Sequence, residues 1–149
     1  MKLFLLKRYV SEYTAHDILL GCFTTRGKAQ YARQEYMSQY KLGKKQDPWK
    51  NQAFHEVDLS RDVMIVDNLP IIDVTKNNKE VYIISHFSGG FGQTRREFYA
   101  ICGTSESKTA KKHECHEKMS KQFFPHFIKV DQIELDQLLP NDDQVEKGY

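Results

Sequence analysis

The sequence predicts an α+β fold in which two ββαβ repeats share a mainly antiparallel sheet or sandwich, with two principal helices. Three observations lead to it. Apolar strand patterns and capped helices recur in the same order in both halves, the signature Cys-x-Thr-[Thr/Ser]-x-x-Lys occurs at residues 22 and 102, and Phe-x-x-Val-Asp occurs at residues 54 and 127. We therefore divide one domain, 1–149, into repeat one (1–67), a linker (68–79), repeat two (80–139) and an acidic tail (140–149).

Repeat one begins with an apolar strand at residues 3–6, a polar hairpin loop and a returning strand at 18–23. Thr24 and Thr25 offer an N-cap for a helix that runs to about Tyr40. An alternating pattern at 54–59 predicts the closing strand, and 63–66 predicts a further short strand. The inward stripe of this helix is expected to consist of small and aromatic residues: Ala29, Ala32, Tyr36 and Tyr40.

Repeat two follows the same plan, with hairpin strands at 81–87 and 97–102 joined by a flexible glycine-rich loop at 88–92. Thr104 and Ser105 cap a second helix, expected to run to about residue 122, and the last strand is 127–133. Each repeat has one helix on a small sheet and too little core to be stable alone. The residues expected on the inner side of the second helix are Thr109, Cys115, His116, Met119 and Phe123.

The composition is that of an ordinary globular domain, with 149 residues, 40% hydrophobic residues and a net charge of +2. This charge argues neither for nor against a polyanionic partner. The apolar run at residues 3–6 is too short for a signal peptide or a membrane span. Together with an odd number of cysteines, three, this indicates a reducing cytoplasm. We expect a cytoplasmic protein without a membrane partner.

The residues around the first helix resemble a motif of short uncharacterised bacterial and phage proteins. Those proteins have a strand, a hairpin, a Gly-Val-Phe-Ser-Ser-x-x-Lys-Ala cap, a helix and an acidic closing strand. Here the matching segments are residues 21–29 and 54–59, and repeat two carries a looser version of the cap, in which Gly103 is displaced and Thr109 replaces the alanine. The resemblance implies a duplicated ββαβ fold and transfers no chemistry.

Basic and aromatic residues alternate in and after the first helix. Residues 24–50 contain seven Lys and Arg and two acidic residues, a local charge of +5, whereas residues 130–149 carry a local charge of −5. This mixture is typical of a nucleic-acid surface, although a solvated helix face is usually charged as well. The candidates for partner or nucleic-acid binding in this segment are Arg26, Lys28, Arg33, Tyr40, Lys41, Lys44 and Lys45.

A second set of candidate contact residues lies around the glycine-rich loop. Phe91 is predicted at the tip of the hairpin, where an exposed aromatic ring is suited to a partner contact. Arg95 and Arg96 follow it and suit an anion or a partner carboxylate. The alternative is that the two arginines flank a strand edge and keep it soluble.

Weak metal candidates are His113, His116 and His126, but their spacing is loose and the chain has no Cys-x-x-Cys or His-Glu-x-x-His motif. We therefore predict no metal and no cofactor. Cys22 and Cys102 precede the two helices, a position that can activate a thiol. The alternative, that both are small apolar strand residues, is favoured, and no catalytic residues are assigned.

These patterns favour a non-catalytic interaction module, an accessory protein of a phage or mobile element that docks on a partner macromolecule, most simply a protein. One alternative is a nucleic-acid-binding protein that uses residues 26–50. Another is a small-ligand receptor or enzyme with a site between the repeats, because a groove between two structural units is the default place for a ligand. Exposed hairpin edges would also allow a homodimer.

Overall fold

A computed structural model describes residues 1–10, 16–41, 46–50, 56–90, 93–121 and 126–140. Both halves of the chain contain strands and helices. The first half contains β1 (Phe4–Arg8), β2 (Ile18–Phe23), α1 (Arg26–Lys41), α2 (Leu59–Asp62) and β3 (Val63–Val66). The rest contains β4 (Ile71–Ile72), β5 (Glu80–Gly90), β6 (Gln93–Cys102), α3 (Ser105–Met119) and β7 (His126–Glu134).

The strands form two sheets, with the orders β2-β1-β3 and β4-β6-β5-β7. All neighbouring strands are antiparallel except β4 and β6, which are parallel. In the first sheet, β1 lies between its hairpin partner β2 and the closing strand β3. In the second sheet, β5 lies in the same way between its hairpin partner β6 and the closing strand β7. The fold is therefore α+β with mainly antiparallel sheets, and the predicted fold class is confirmed. Tandem duplication stays a proposal, to which the shared strand order lends support.

Alternation along β1 explains how the layers stack, because successive strand residues point to opposite faces. Phe4 and Leu6 pack with α1, whereas Leu3 and Leu5 pack against residues of β5, β6 and β7. On the far side of the second sheet, α3 contacts β5, β6 and β7. The layers therefore follow the order α1, first sheet, second sheet, α3, and an apolar cluster lies between the two sheets.

Each half of the chain contributes a segment that bonds to the edge of the other half's sheet. After β3, the chain crosses to the second sheet, where the N–H groups of Ile101 and Gly103 donate to carbonyl oxygens of residues 70 and 72. After β7, the chain crosses to the first sheet, where residues 136 and 139 donate to carbonyl oxygens of β2. Both crossing segments contain an aspartate in the left-handed region, Asp73 with φ 56° and Asp136 with φ 62°. Each half thus completes the edge of the other half.

The predicted first helix is confirmed in its position and in its buried face. The Thr25 hydroxyl accepts a hydrogen bond from the Lys28 N–H, as expected of an N-cap. Ala29, Ala32 and Tyr36 are buried, and Tyr40 is half-buried. In α3, Thr104 is the N-cap as predicted. The predicted inner side of α3 is wrong in part: Cys115 and Met119 face inward and Thr109 and His116 are exposed, while Phe123 lies outside the described residues.

Three further predictions need correction. The closing strand of the first half is β3. Residues 56–59 of the predicted strand are not extended into a strand, because the Asp58 carboxylate accepts hydrogen bonds from Ser60 and caps α2. Residues 54 and 55 lie outside the described residues. Residues 88–90 of the predicted loop at 88–92 belong to β5 and pair with residues 93–95 of β6, and residues 91–92 lie outside the described residues. The linker contains β4, which extends the second sheet.

Candidate interaction surface

Residues 135–139, which we call the strap, form one wall of a surface that joins the two halves. The strap lies so close to β2 that a Cβ atom on Gly21 would be 2.7 Å from the Gln137 carbonyl oxygen. This distance is well below an ordinary contact, so glycine is required at this position. The strap therefore has a fixed place beside the start of α1.

Asp136 ties the strap to the N-terminus of α1. Its carboxylate accepts hydrogen bonds from the Thr24 N–H at 2.8 Å, from the Thr24 hydroxyl and from the Lys28 ammonium at 3.1 Å. Partial burial raises the pKa of Asp136, but the hydrogen bonds from Thr24 and Lys28 have the larger combined effect. The pKa of Asp136 is therefore lower than its ordinary value. A carboxylate beside the first turn also interacts favourably with the helix dipole. Asp136 is therefore a charged structural link between the halves.

A groove of about 600 Å³, which we call the α1 groove, runs between α1 and the strap. One wall is a row of helix residues spaced one turn apart, Gly27, Tyr31 and Glu35, and the other is the strap. Apolar side chains form part of its lining, among them Phe23, Ala32 and Leu138. The groove thus combines an apolar base with a polar rim, a combination found in protein-binding surfaces.

Tyr31 is the most exposed aromatic side chain of the described chain, with 75% of its surface accessible. Tyr31 lies about 200° around the helix from the buried Ala29, and it is therefore on the outer face of α1. Apart from its chain neighbours and the backbone of its own helix, Gly27, one turn earlier, has no atom within 4 Å of the position where a Cβ would be. No packing contact within the chain therefore requires glycine at residue 27, and the space beside the Tyr31 ring is open.

A second hollow, of about 840 Å³, lies on the other side of Asp136 and is lined by residues of both halves. Its wall carries charges of both signs. The charged residues in its lining are Lys2, Lys76, Lys79, Glu80, Glu134 and Asp136. A cluster of apolar side chains lies between the sheets themselves. The described residues thus form a hollow at the rim where the two halves meet.

Three of the basic candidates on α1 bind to other parts of the chain. Arg26 pairs with Asp67, and Lys28 pairs with Asp136. Arg33 donates to the carbonyl oxygens of residues 60 and 63. Their charge is therefore at least partly neutralised or used for structure. The side chain of Lys41 and the whole of Lys44, Lys45 and Phe91 lie outside the described residues.

The remaining contact candidates have different environments. The Tyr40 hydroxyl is 3.3 Å from the Tyr36 hydroxyl, and the Arg8 guanidinium lies 5.7 Å from the Tyr40 ring centre. Arg95 is exposed and pairs with Glu97. Arg96, its neighbour, is buried between the sheets, where it donates to Asp131. The structure thus separates the two arginines, because alternate strand residues face opposite sides of the sheet.

The histidine candidates lie near one end of α3, but they do not converge on one point. His113 is exposed and pairs with Glu117. The ring of His116 lies 6.0 Å from that of His126, which in turn is 5.4 Å from the buried His86. In the part of the chain that the structure describes, no three His, Cys, Asp or Glu side chains are arranged to hold a metal ion.

We predict that acidification destabilises the protein through His86. Burial, followed by the neighbouring His126, lowers the pKa of His86 below its ordinary value of 6.5. Below about pH 6.5 the unfolded chain therefore takes up a proton that the folded state resists. Stability is present above that pH and is lost as pH falls toward the folded-state pKa, with a slope of at most about 1.4 kcal/mol per pH unit.

The measurement is urea unfolding of the wild type and two variants at pH 7.5 and at pH 5.5. In His86→Gln the difference in stability between the two pH values should shrink. In His113→Gln, which alters an exposed histidine of α3, it should stay as in the wild type. Equal pH dependence in all three proteins would contradict the assignment to His86.

The three cysteines lie in buried surroundings that disfavour the thiolate form. All three are buried. Burial raises the pKa of the Cys22 thiol to about 12, and burial also raises the pKa of Cys102 and of Cys115. A thiol with a raised pKa is protonated at neutral pH and reacts slowly. The positions before the helices therefore do not activate Cys22 or Cys102.

The sequence matches no protein-family model, and comparison with curated proteins and with solved structures found no match. None of the helices in the described segments is both long and apolar enough to cross a bilayer. Functional inference therefore depends on the surface itself. Tyr31 lies within the segment 24–50, in which basic and aromatic residues alternate. Sequence reasoning missed Gly27 and Asp136, whose roles arise only when the strap lies beside α1.

Proposed function

We propose that this protein is a non-catalytic interaction module that docks a partner protein in the α1 groove. The observation that carries this proposal is the exposed Tyr31 ring beside a groove with an apolar base. Tyrosine is enriched among the residues that dominate binding energy, because a large rigid ring loses little conformational entropy on binding. The open space above Gly27 lets a partner backbone approach the helix closely.

The partner best suited to this surface is a protein segment with an apolar side chain that enters beside Tyr31. Lys28 and Glu35 line the two ends of the helix wall, one with each sign of charge. They would set the direction in which the segment lies, whereas the apolar base would supply most of the affinity. The accessory role in a phage or mobile element belongs to the same proposal and is supported by the sequence motif alone.

A nucleic-acid partner is the weaker candidate. Arg26, Lys28 and Arg33 all have partners within the chain. A phosphate would have to compete with these contacts, which reduces the net gain from each cation. A small ligand in the second hollow is weaker still, since its charged lining is balanced in sign and open to solvent.

The test is site-specific photocrosslinking in the cells that contain the protein. A photoreactive phenylalanine analogue at position 31 is expected to capture one defined protein. The same analogue at Tyr9, an exposed tyrosine outside the groove, serves as the matched control and should not capture it. Capture of the same protein from both positions, or of none from position 31, would overturn the proposal.

Tyr31→Ala should weaken binding of the captured protein at least about tenfold, as expected for a central aromatic contact. Tyr31→Phe keeps the ring and should retain most of the affinity. Both variants should unfold within about 0.5 kcal/mol of the wild type, because Tyr31 is exposed. Titration calorimetry and thermal unfolding measure these two quantities, and unchanged affinity in Tyr31→Ala would exclude the α1 groove as the docking site.

A further inference from the structure

Among the described residues, one edge of strand β6 is paired with another strand only at its C-terminal end. Its neighbour β4 pairs with Ile101 and Cys102 and is two residues long. No other strand in the described part of the chain pairs with β6 on that side, because β4 is its only neighbour there. Residues 93–100 therefore present a row of backbone N–H and C=O groups that are suited to pairing with another strand.

The charges on this edge of one copy are complementary to those on the same edge of a second copy. Arg95 and Glu97 lie two residues apart, so they project from the same face of β6. They are 3.0 Å apart, with 77% and 52% of their side chains exposed. In an antiparallel pair of two β6 strands related by a twofold axis at Arg96, Arg95 of one copy lies directly opposite Glu97 of the other. The pair occurs twice in such an interface, as twofold symmetry requires.

The side chain at the centre of this register does not obstruct it. The Arg96 guanidinium points between the sheets, where it lies 5.0 Å and 4.5 Å from the ring centres of Phe87 and Phe98. It is bound to Asp131 at 2.9 Å. Two Arg96 residues on the axis would therefore each keep their own carboxylate partner and would not meet as free charges.

Strand β7, at the opposite edge of the same sheet, does not present exposed charges of this kind. Lys129 and Asp131 have the same spacing as Arg95 and Glu97, but their side chains are only 25% and 22% exposed. Asp131 is already bound to Arg96. The charges of β7 thus belong to the interior of the chain, whereas those of β6 are available to a second copy.

We infer that this chain forms a homodimer by antiparallel pairing of two β6 edges, with Arg95 and Glu97 of each copy forming cross-strand ion pairs with the other copy. The surface lies on the second sheet and does not include the α1 groove. Self-association would thus present two α1 grooves to partners. Homodimerisation and docking in the α1 groove are independent and fail independently.

The test exchanges the two charges and measures the mass of the full chain by sedimentation velocity over a wide range of concentration. The wild type is expected to self-associate. Arg95→Glu places two acidic residues opposite each other, and Glu97→Arg places two arginines opposite each other. Each single variant should weaken the dimer at least about tenfold. The double variant R95E/E97R restores opposite charges and should dimerise like the wild type.

A mixture of the two single variants provides the sharpest result. One carries only acidic residues at these positions and the other only basic residues, so the mixture should form a heterodimer although neither variant self-associates. Circular dichroism of each variant verifies folding, which the exposure of both side chains should preserve. A wild type that stays monomeric at all concentrations, or a single variant that dimerises as well as the wild type, would overturn the inference.

Discussion

Replacing Arg96 with methionine is expected to lower the free energy of unfolding by about 3 kcal/mol, because it removes one partner of a buried ion pair. The guanidinium donates to Asp131 at 2.9 Å, to the buried Ser85 hydroxyl at 3.0 Å and to the Asp17 carbonyl oxygen at 3.2 Å. Methionine keeps much of the volume but satisfies none of these groups. The lower end of the usual range applies because Lys129, 3.4 Å from Asp131, remains as a cation.

The adjacent arginine supplies the control. Arg95→Met changes the same residue type in the same strand, but its side chain is 77% exposed. Its effect on the unfolding free energy of the monomer should stay within about 0.5 kcal/mol. In the double variant R96M/D131L the unpaired carboxylate is also removed, so part of the lost stability should return. Urea unfolding at low protein concentration measures all three; equal effects of R95M and R96M would show that the buried contacts contribute little.

Gly103→Ala should destabilise the protein by about 2–4 kcal/mol, through overpacking and lost hydrogen bonds. A Cβ at this position would lie 2.0 Å from the Asp73 carbonyl oxygen and 2.9 Å from the Val74 Cα. These are backbone atoms that cannot rotate away, so β4 must move. The hydrogen bonds from Ile101 to Pro70 and from Gly103 to Ile72, both 2.9 Å, would be strained or lost.

The matched substitution is Gly27→Ala, whose effect should have the opposite sign. Its Cβ meets no atom within 4 Å, and alanine is the better helix former. We expect a gain of about 0.5 kcal/mol, since glycine loses more backbone entropy on folding. Unfolding free energies measure both variants, and hydrogen exchange at Ile101 locates the damage in Gly103→Ala. A Gly103→Ala protein as stable as the wild type would mean that β4 does not pack on β6 as described.

Local chemistry was sufficient where a segment's own residues decide its conformation. The hydroxyl caps at Thr25 and Thr104 and the small-residue stripe from Ala29 predicted where the two principal helices begin and which side of α1 is buried. The same reasoning failed at residues 54–59, where alternation indicated a strand. The Asp58 carboxylate binds the N–H of Ser60, two residues ahead, and such a contact favours a helical turn over an extended chain.

Partners distant in sequence could not be inferred from pattern. Asp136 binds Thr24, 112 residues away, and no local signal connects an acidic residue near the C-terminal tail with the start of α1. Likewise, Arg95 and Arg96 are neighbours of one type, yet one is solvated and the other lies between two aromatic rings. Only the register of β6 with β5 decides which arginine faces inward.

The sequence by itself determined the class of fold, the two hairpins, the two principal helices and the positions of their caps, but not α2 or β4. It could do so because propensity, periodicity and capping act within a few residues. The tertiary structure alone decided which cations are neutralised, where the strap forms a groove with α1 and which edge of β6 has no strand partner among the described residues. Those outcomes depend on contacts between segments that meet only when the two sheets pack, and burial and charge pairing at such contacts are properties of the assembled chain.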